Sequence, residues 1–352
     1  MTSPVPPSSK RWSLEHTSAY ALFGNVQRMW SDLPDGGDAA RTRLRDAVLA
    51  YSVSGTPQTM DKDAHDLIKF GLCAFDAEGS NIILGEPLIV EAALHKIGLR
   101  SFVTSKLAAS STDAGASGNN FEVFSLPFIR SNFVNALHDG KFGVASDEMG
   151  DGWTPLSTIG LSSYGVLALS TDTPAKTMQW LEDSIASTVE GDVPPFCFPD
   201  QAMGPDLLFL LRHESSWGTW KLCMWQHKFK NVANQAEALR TINQDLLFFV
   251  NRDKPSSKLG LASSAETERW TNLRAKLFKD GKRKRGVMTV LLEYPAGATK
   301  SSQSKVSRHS EGEGVDVHVT IAGDANVVMF EAEGVEFLNS VKNNHSSTSS
   351  LK

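Results

Sequence analysis

Residues 204–230, GPDLLFLLRHESSWGTWKLCMWQHKFK, constrain this chain more than any other stretch. Two apolar runs of strand length flank a short polar segment, which is the pattern of a β-hairpin set inside a sheet. Yet Asp206 opens the first run, and Gln226 and Lys228 stand one residue apart in the second. Side chains alternate along a strand, so Gln226 and Lys228 share a face with Met224, Leu222 and Trp220. A loop ESSWG centred on Ser216 pairs Arg212 with Trp220, Leu210 with Leu222, Leu208 with Met224 and Asp206 with Gln226. Opposite residues of an antiparallel pair hold their Cβ atoms roughly 4.5–5.5 Å apart. One cation could then take an oxygen from Asp206 and another from Gln226. A slip of one residue would send Gln226 to the other face. His227 points to that other face and reads as structural.

The chemistry of this arrangement is specific. Mg²⁺ prefers oxygen ligands and keeps several waters. A lysine beside it positions or deprotonates a water and stabilises charge developing on a phosphate. This is the outline of a phosphodiester-cutting site that needs one further acid, supplied by a helix packed beside the sheet. Glu122 is the candidate, because it follows the small-residue segment GASGNN and opens the helical pattern FEVFSLPFIRSNFVNAL. Glu86, Glu91, Glu148 and Asp151 compete for the same role.

Composition bounds the alternatives. The net charge of −5 gives no global basic field, so polyanion binding must rest on a local patch. KDGKRKRG, residues 279–286, is such a patch. Lys282, Arg283, Lys284 and Arg285 suit DNA phosphates or nuclear import as well as a solvated loop. Cys73, Cys197 and Cys223 are odd in number and far apart, which argues against disulfides or zinc and for the inside of a cell. The first ten residues lack the apolar stretch of a signal peptide, and no run reaches membrane-span length. Protein partners and self-association stay open.

Several motifs fail on inspection. The chain has no G-x-x-x-x-G-K-[ST] segment. GLSSYG puts Tyr164 where a nucleophile elbow needs its second glycine. SDEMGDG lacks the alternating ligands of an EF-hand loop, and the histidines lack metal-site spacing.

The organisation expected is a disordered N-terminus over 1–12 and a helical extension over 13–60. A main domain over 61–298 is followed by a Ser-rich linker over 299–314. A terminal β-hairpin over 315–341, turning at AGDAN, and a disordered tail over 342–352 complete the chain. Helical patterns run through SLEHTSAYALFGNVQRMWSDL, DGGDAARTRLRDAVLAYSVSG, KDAHDLIKFGLCAF, EPLIVEAALHKIGL, PAKTMQWLEDSIAS and NVANQAEALRTINQDLL. Strands are expected at NIILG, YGVLALS and VMTVLLEY, and a loop over 110–120.

Glu122, Gly204-Pro205-Asp206 and Gln226-His227-Lys228 together resemble the signature of the PD-(D/E)XK, or restriction-endonuclease-like, superfamily. That signature is a helix-borne Glu, an Asp on one core strand and Glu/Asp/Gln-x-Lys on the next. GEPLIVEAA upstream and GVMTVLLEYPA downstream look like the nuclease-like C-terminal region of Crinkler-type proteins from fungi and oomycetes. The resemblance covers roughly residues 60–298. It implies an α/β fold with a central mixed sheet flanked by helices, and Mg²⁺- or Mn²⁺-dependent cleavage of DNA. It further implies that Glu122, Asp206 and Gln226 are metal ligands and Lys228 the catalytic lysine. The neutral Gln226 in place of the commoner acid leaves a rival reading, a catalytically inactive nuclease-like fold that binds DNA or protein.

Overall fold

The computed structural model describes residues 38–54, 58–60, 67–68, 72–79, 81–84, 99–109, 114–142, 153–155, 166–186, 193–200, 203–213, 220–229, 242, 264–278, 286–294, 305–311 and 314–349. The chain divides into two compact units, residues 1–99 with 163–166 and residues 100–162 with 167–352. Within the described residues no helix is long and apolar enough to cross a membrane.

In the first unit, α1 (Asp38–Ser54) buries Leu44, Ala47, Val48 and Tyr51, which recur at helical spacing. Three short antiparallel strands follow, β1 (Gln58–Met60), β2 (Ala74–Phe75) and β3 (Ile82–Leu84), in the order β1-β3-β2. β3 is the strand expected at NIILG. In the stretch KDAHDLIKFGLCAF, expected to be helical, Leu67 and Ile68 are helical and the last two residues form β2.

The second unit follows. α2 (Leu99–Ala109) precedes α3 (Ala114–Phe128), a π-helical turn at Ile129–Phe133 and α4 (Val134–His138). α3 starts at Ala114, so Gly115–Asn120, expected to be a loop, is helical. Phe121, Phe124 and Phe128 form a buried stripe on this helix. Burial of that stripe outweighs the roughly 1 kcal/mol that each helical glycine costs. Pro127 lies inside α3, and the π turn begins two residues after it. The Ser131 hydroxyl donates to the Pro127 carbonyl at 2.9 Å.

Next come β4 (Trp153–Pro155), β5 (Ala168–Ser170), α5 (Pro174–Ala186), β6 (Phe196–Phe198), β7 (Leu207–His213) and β8 (Trp220–Lys228). α6 (Ser264–Phe278), β9 (Gly286–Glu293), β10 (Lys305–Glu311), β11 (Gly314–Ile321) and α7 (Ala325–Ser349) complete the unit. The eight strands make one mixed sheet, ordered β10-β11-β9-β8-β7-β6-β5, with β4 also paired to β7. β8, β9 and β11 are parallel, and β7 runs against β8.

Helices cover both faces of this sheet. Met178, Trp180 and Leu181 of α5 and Trp270 and Leu273 of α6 pack with Leu208, Leu210, Leu222, Met224 and Val287. On the other face Phe133 sits edge-on to Trp225 at 4.7 Å, and Phe121 meets His227 at 5.8 Å between centroids. The α/β class and the helix-flanked mixed sheet are those expected from the sequence.

The C-terminal region departs most from expectation. The segment expected as a Ser-rich linker contains β10, which pairs with β11. The expected terminal hairpin is a strand followed by a helix, and the expected disordered tail is helical to Ser349. Val327 and Val328 read like strand residues. However, Ala325 and Met329, then Phe330, Leu338 and Val341, are buried at helical spacing. The turn from β11 into α7 uses Gly323 at φ 58°, a conformation open to glycine at little cost. Gly334 permits close approach, since a Cβ there would lie 3.1 Å from Phe330 Cβ and 3.6 Å from the Phe128 ring. α7 breaks at Glu331, φ 62°. Its carboxylate is held there by both terminal nitrogens of Arg100 at 3.1 Å and by Asn132 Nδ2 at 3.0 Å.

The segments SLEHTSAYALFGNVQRMWSDL and NVANQAEALRTINQDLL, apart from Ile242, lie outside the described residues. So do residues 1–12, 85–98 and the basic run 279–285.

If α7 packs as this helix, Phe330 is a core residue, in ring contact with Phe121, Phe124, Phe128 and Tyr294. Phe330→Ala should cost about 3–5 kcal/mol in urea unfolding, and Glu333→Ala, on the exposed side, less than about 0.5 kcal/mol. Equal costs at the two positions would contradict this packing.

Candidate active site

β7 and β8 pair in the register expected from a turn centred on Ser216. Leu207 faces Trp225, Leu208 faces Met224, Leu210 faces Leu222 and Arg212 faces Trp220. Residues 214–219 themselves lie outside the described residues. The ladder ends one residue short of the expected Asp206–Gln226 pair. Pro205 has no N–H to extend it, and the chain bends. The Asp206 N–H donates to the Trp225 carbonyl at 2.8 Å. The Asp206 carboxylate reaches the end of β8, where Oδ2 accepts hydrogen bonds from Gln226 Nε2 and from the His227 backbone N–H at 2.7 Å. The two residues therefore meet through side chains rather than through a backbone pair.

Because β8, β9 and β11 are parallel, their C-terminal ends lie at one edge of the sheet. In open α/β sheets that edge is where ligands bind. Gln226 is buried there, and Asp206 and Lys228 are partly exposed. Glu122, also partly exposed, enters from α3. Burial pushes its carboxyl up to about 8, the Asp206 charge raises it further, and the Lys228 charge opposes both. Burial likewise lifts Asp206 to about 6, against the Lys228 charge and the hydrogen bonds from the His227 N–H and the Gln226 amide. Glu122, Asp206 and Lys228 thus act on one another electrostatically, and Gln226 is bonded directly to Asp206. All four expected site residues belong to one neighbourhood. Burial makes both acids harder to ionise than ordinary carboxyls, and the Asp206 charge adds to this at Glu122.

Within the described residues no group of three or more His, Cys, Asp or Glu side chains is gathered as a metal cluster. The strand end gathers two carboxyls, an amide and an ammonium. That donor set suits a hard, oxygen-seeking divalent ion, which would relieve the mutual repulsion of the two carboxylates. Gln226 donates to Asp206 through its amide nitrogen, so the amide oxygen is the end with lone pairs for a cation. The competing acids Glu86, Glu91, Glu148 and Asp151 lie outside the described residues, as do Lys282, Arg283, Lys284 and Arg285. The three cysteines are buried free thiols, with Cys73 and Cys197 each pushed up to about 12 mainly by burial.

Two neighbours were not singled out from the sequence. Glu293 ends β9 in register with Lys228 and is 3% exposed, which brings a third acid to the strand ends. Its signal was visible as the acid closing the apolar run VMTVLL. Ser125, wholly buried, bonds His227 Nε2 at 2.7 Å. His227 lies on the face opposite Gln226, as expected. Burial, with the Lys228 charge, lowers its ring to about 3, so it stays neutral in ordinary buffers.

The raised Glu122 sets a direction for pH dependence. A carboxyl that holds its proton more tightly when folded makes its full contribution to stability below its unfolded pKa of about 4.3. That contribution shrinks as pH rises and is gone above about 8. Glu122→Gln cannot ionise and should lack this decline. Between pH 6 and 8.5, in chelator, the melting temperature of the wild type should fall relative to that of the variant. Parallel profiles would show that Glu122 ionises normally.

Set against known proteins, the chain matches no family model, no curated protein and no solved structure, so the chemistry of the site has to be taken from its own side chains.

Proposed function

We propose that the protein is a Mg²⁺- or Mn²⁺-dependent nuclease that hydrolyses DNA phosphodiester bonds. Its core would be restriction-endonuclease-like, similar to the nuclease-like region of Crinkler-type effectors. The observation that supports this reading best is the meeting of Glu122, Asp206, Gln226 and Lys228 at the C-terminal edge of β8 and β9.

Glu122, Asp206 and Gln226 would hold the cation. The bound ion would supply Lewis acidity toward the phosphate oxygens. Lys228 orients the attacking water and stabilises charge as it develops on the phosphate. Glu293 stands opposite Lys228 in the β8–β9 register. Asp206 is held ready by the His227 N–H, so its carboxylate needs little reorganisation. Lys282, Arg283, Lys284 and Arg285 immediately precede β9 in the chain. They supply phosphate contacts to a protein that is otherwise acidic, or direct it to the nucleus.

One observation favours a second reading. Gln226 carries no charge, and its amide nitrogen is already bonded to Asp206. A site built this way could bind DNA or a protein without turnover.

Plasmid DNA incubated with the purified chain in Mg²⁺, Mn²⁺ or chelator separates the two. Cleavage is expected with metal and not with chelator. Lys228→Ala should lower the rate by at least ~10²-fold while DNA binding persists. Asp206→Ala should lose cleavage, and Gln226→Glu should retain it. Gel-shift binding with no cleavage in either metal would favour the second reading, and a Lys228→Ala variant as fast as wild type would remove Lys228 from the mechanism.

A further inference from the structure

We propose that His227 is the positioning residue of this site, fixing how far Glu122 stands from Asp206 through a buried hydrogen-bonded bridge to Ser125. The inference rests on the cation-binding reading above and goes beyond it. Three contacts carry it. The His227 backbone N–H donates to Asp206 Oδ2 at 2.7 Å. The His227 ring nitrogen Nε2 lies 2.7 Å from Ser125 Oγ. Ser125 Oγ in turn donates to the backbone carbonyl of Glu122 at 2.7 Å.

These contacts make one directed chain. The Ser125 proton is committed to the Glu122 carbonyl, so Ser125 Oγ accepts from the ring and Nε2 carries the hydrogen. Nδ1 is then the bare acceptor nitrogen. It is buried and has no hydrogen-bond partner among the described residues, which agrees with that tautomer. A single residue therefore touches Asp206 through its main chain and, through its side chain, the Ser125 hydroxyl that is bonded to the Glu122 carbonyl. The link spans two elements far apart in sequence, β8 and α3. The ring contact between α3 and β8, Phe121 against His227, is apolar packing. Aromatic contacts tolerate small slides of a helix, whereas a hydrogen bond to a buried hydroxyl does not.

The bridge also explains why a histidine stands between Gln226 and Lys228. An apolar residue would pack as well against Phe121 and Trp225 but would leave the buried Ser125 hydroxyl without its second partner. A charged residue would not be tolerated on that face.

The test separates positioning from stability. Ser125→Ala removes the acceptor and leaves a buried N–H unpaired, so it should both destabilise the fold and weaken Mn²⁺ binding. Ser125→Ala/His227→Phe removes both partners and refills the space with an aromatic ring, which should recover most of the thermal stability. If the bridge positions Glu122, the double variant should still bind Mn²⁺ about 10–100-fold more weakly than wild type, as removal of outer-shell partners commonly does. Mn²⁺ affinity is read by calorimetry and thermal stability by circular dichroism, with Glu122→Gln as reference. Affinity that recovers with stability, or is wild-type in both variants, overturns the positioning role and leaves the cation site standing. Equal and negligible Mn²⁺ binding by wild type and Glu122→Gln overturns the cation site, and the positioning role with it.

Discussion

The pairing of β7 with β8 is the constraint on which the rest depends. It is a ladder between two apolar runs buried on both faces, and its period of two sends successive residues to opposite sides. Leu208, Leu210, Leu222 and Met224 go under α5 and α6, while Phe209, Trp225 and His227 go under the helices of the other face. A slip of one residue would turn both sets over and expose the core to the wrong helices. The same register decides the chemistry. It brings Asp206 level with the end of β8, where a carboxylate can cap the His227 N–H and take the Gln226 amide.

The edge of the sheet is electrostatically tense. Two carboxyls sit where burial resists their charge, and only Lys228 and a few hydrogen bonds ease it. Perturbed carboxyls are found both at functional sites and in structural ion networks, and the C-terminal ends of parallel strands are where ligands bind in open α/β sheets. A buried aromatic layer, Phe121, Phe124, Phe133, Trp225 and Phe330, lies beneath the acids. Glu122 follows directly after Phe121, so the side chain most deeply involved in the aromatic cluster and the acid at the site share one turn of α3.

Much of this was legible because it depends on local pattern. The turn chemistry around Ser216 and the two apolar runs specified the β7–β8 register. Alternation then placed His227 opposite Gln226. What was not legible came from tertiary packing. The glycines of GASGNN favour a loop, and only the contacts of Phe121 and Phe124 with residues a hundred or more positions away make that segment helical. The valines after AGDAN favour a strand, and burial against α3, the π turn and β11 makes α7 a helix. Glu293 beside Lys228 depended on the parallel pairing of β8 with β9, whose register no short-range signal fixes. The bend at Asp206 replaced a simple cross-strand pair because Pro205 cannot donate to the ladder.

The central claim is that Glu122 and Asp206, with Gln226, form one divalent-cation site. Anomalous diffraction from crystals of the full chain equilibrated with millimolar Mn²⁺ tests it most directly. The expected result is a single strong peak between the Glu122 and Asp206 carboxylates, within coordination distance of the Gln226 amide oxygen and absent in Asp206→Ala. A peak elsewhere on the protein, or none at that edge while Glu122 and Asp206 are well ordered, would contradict it.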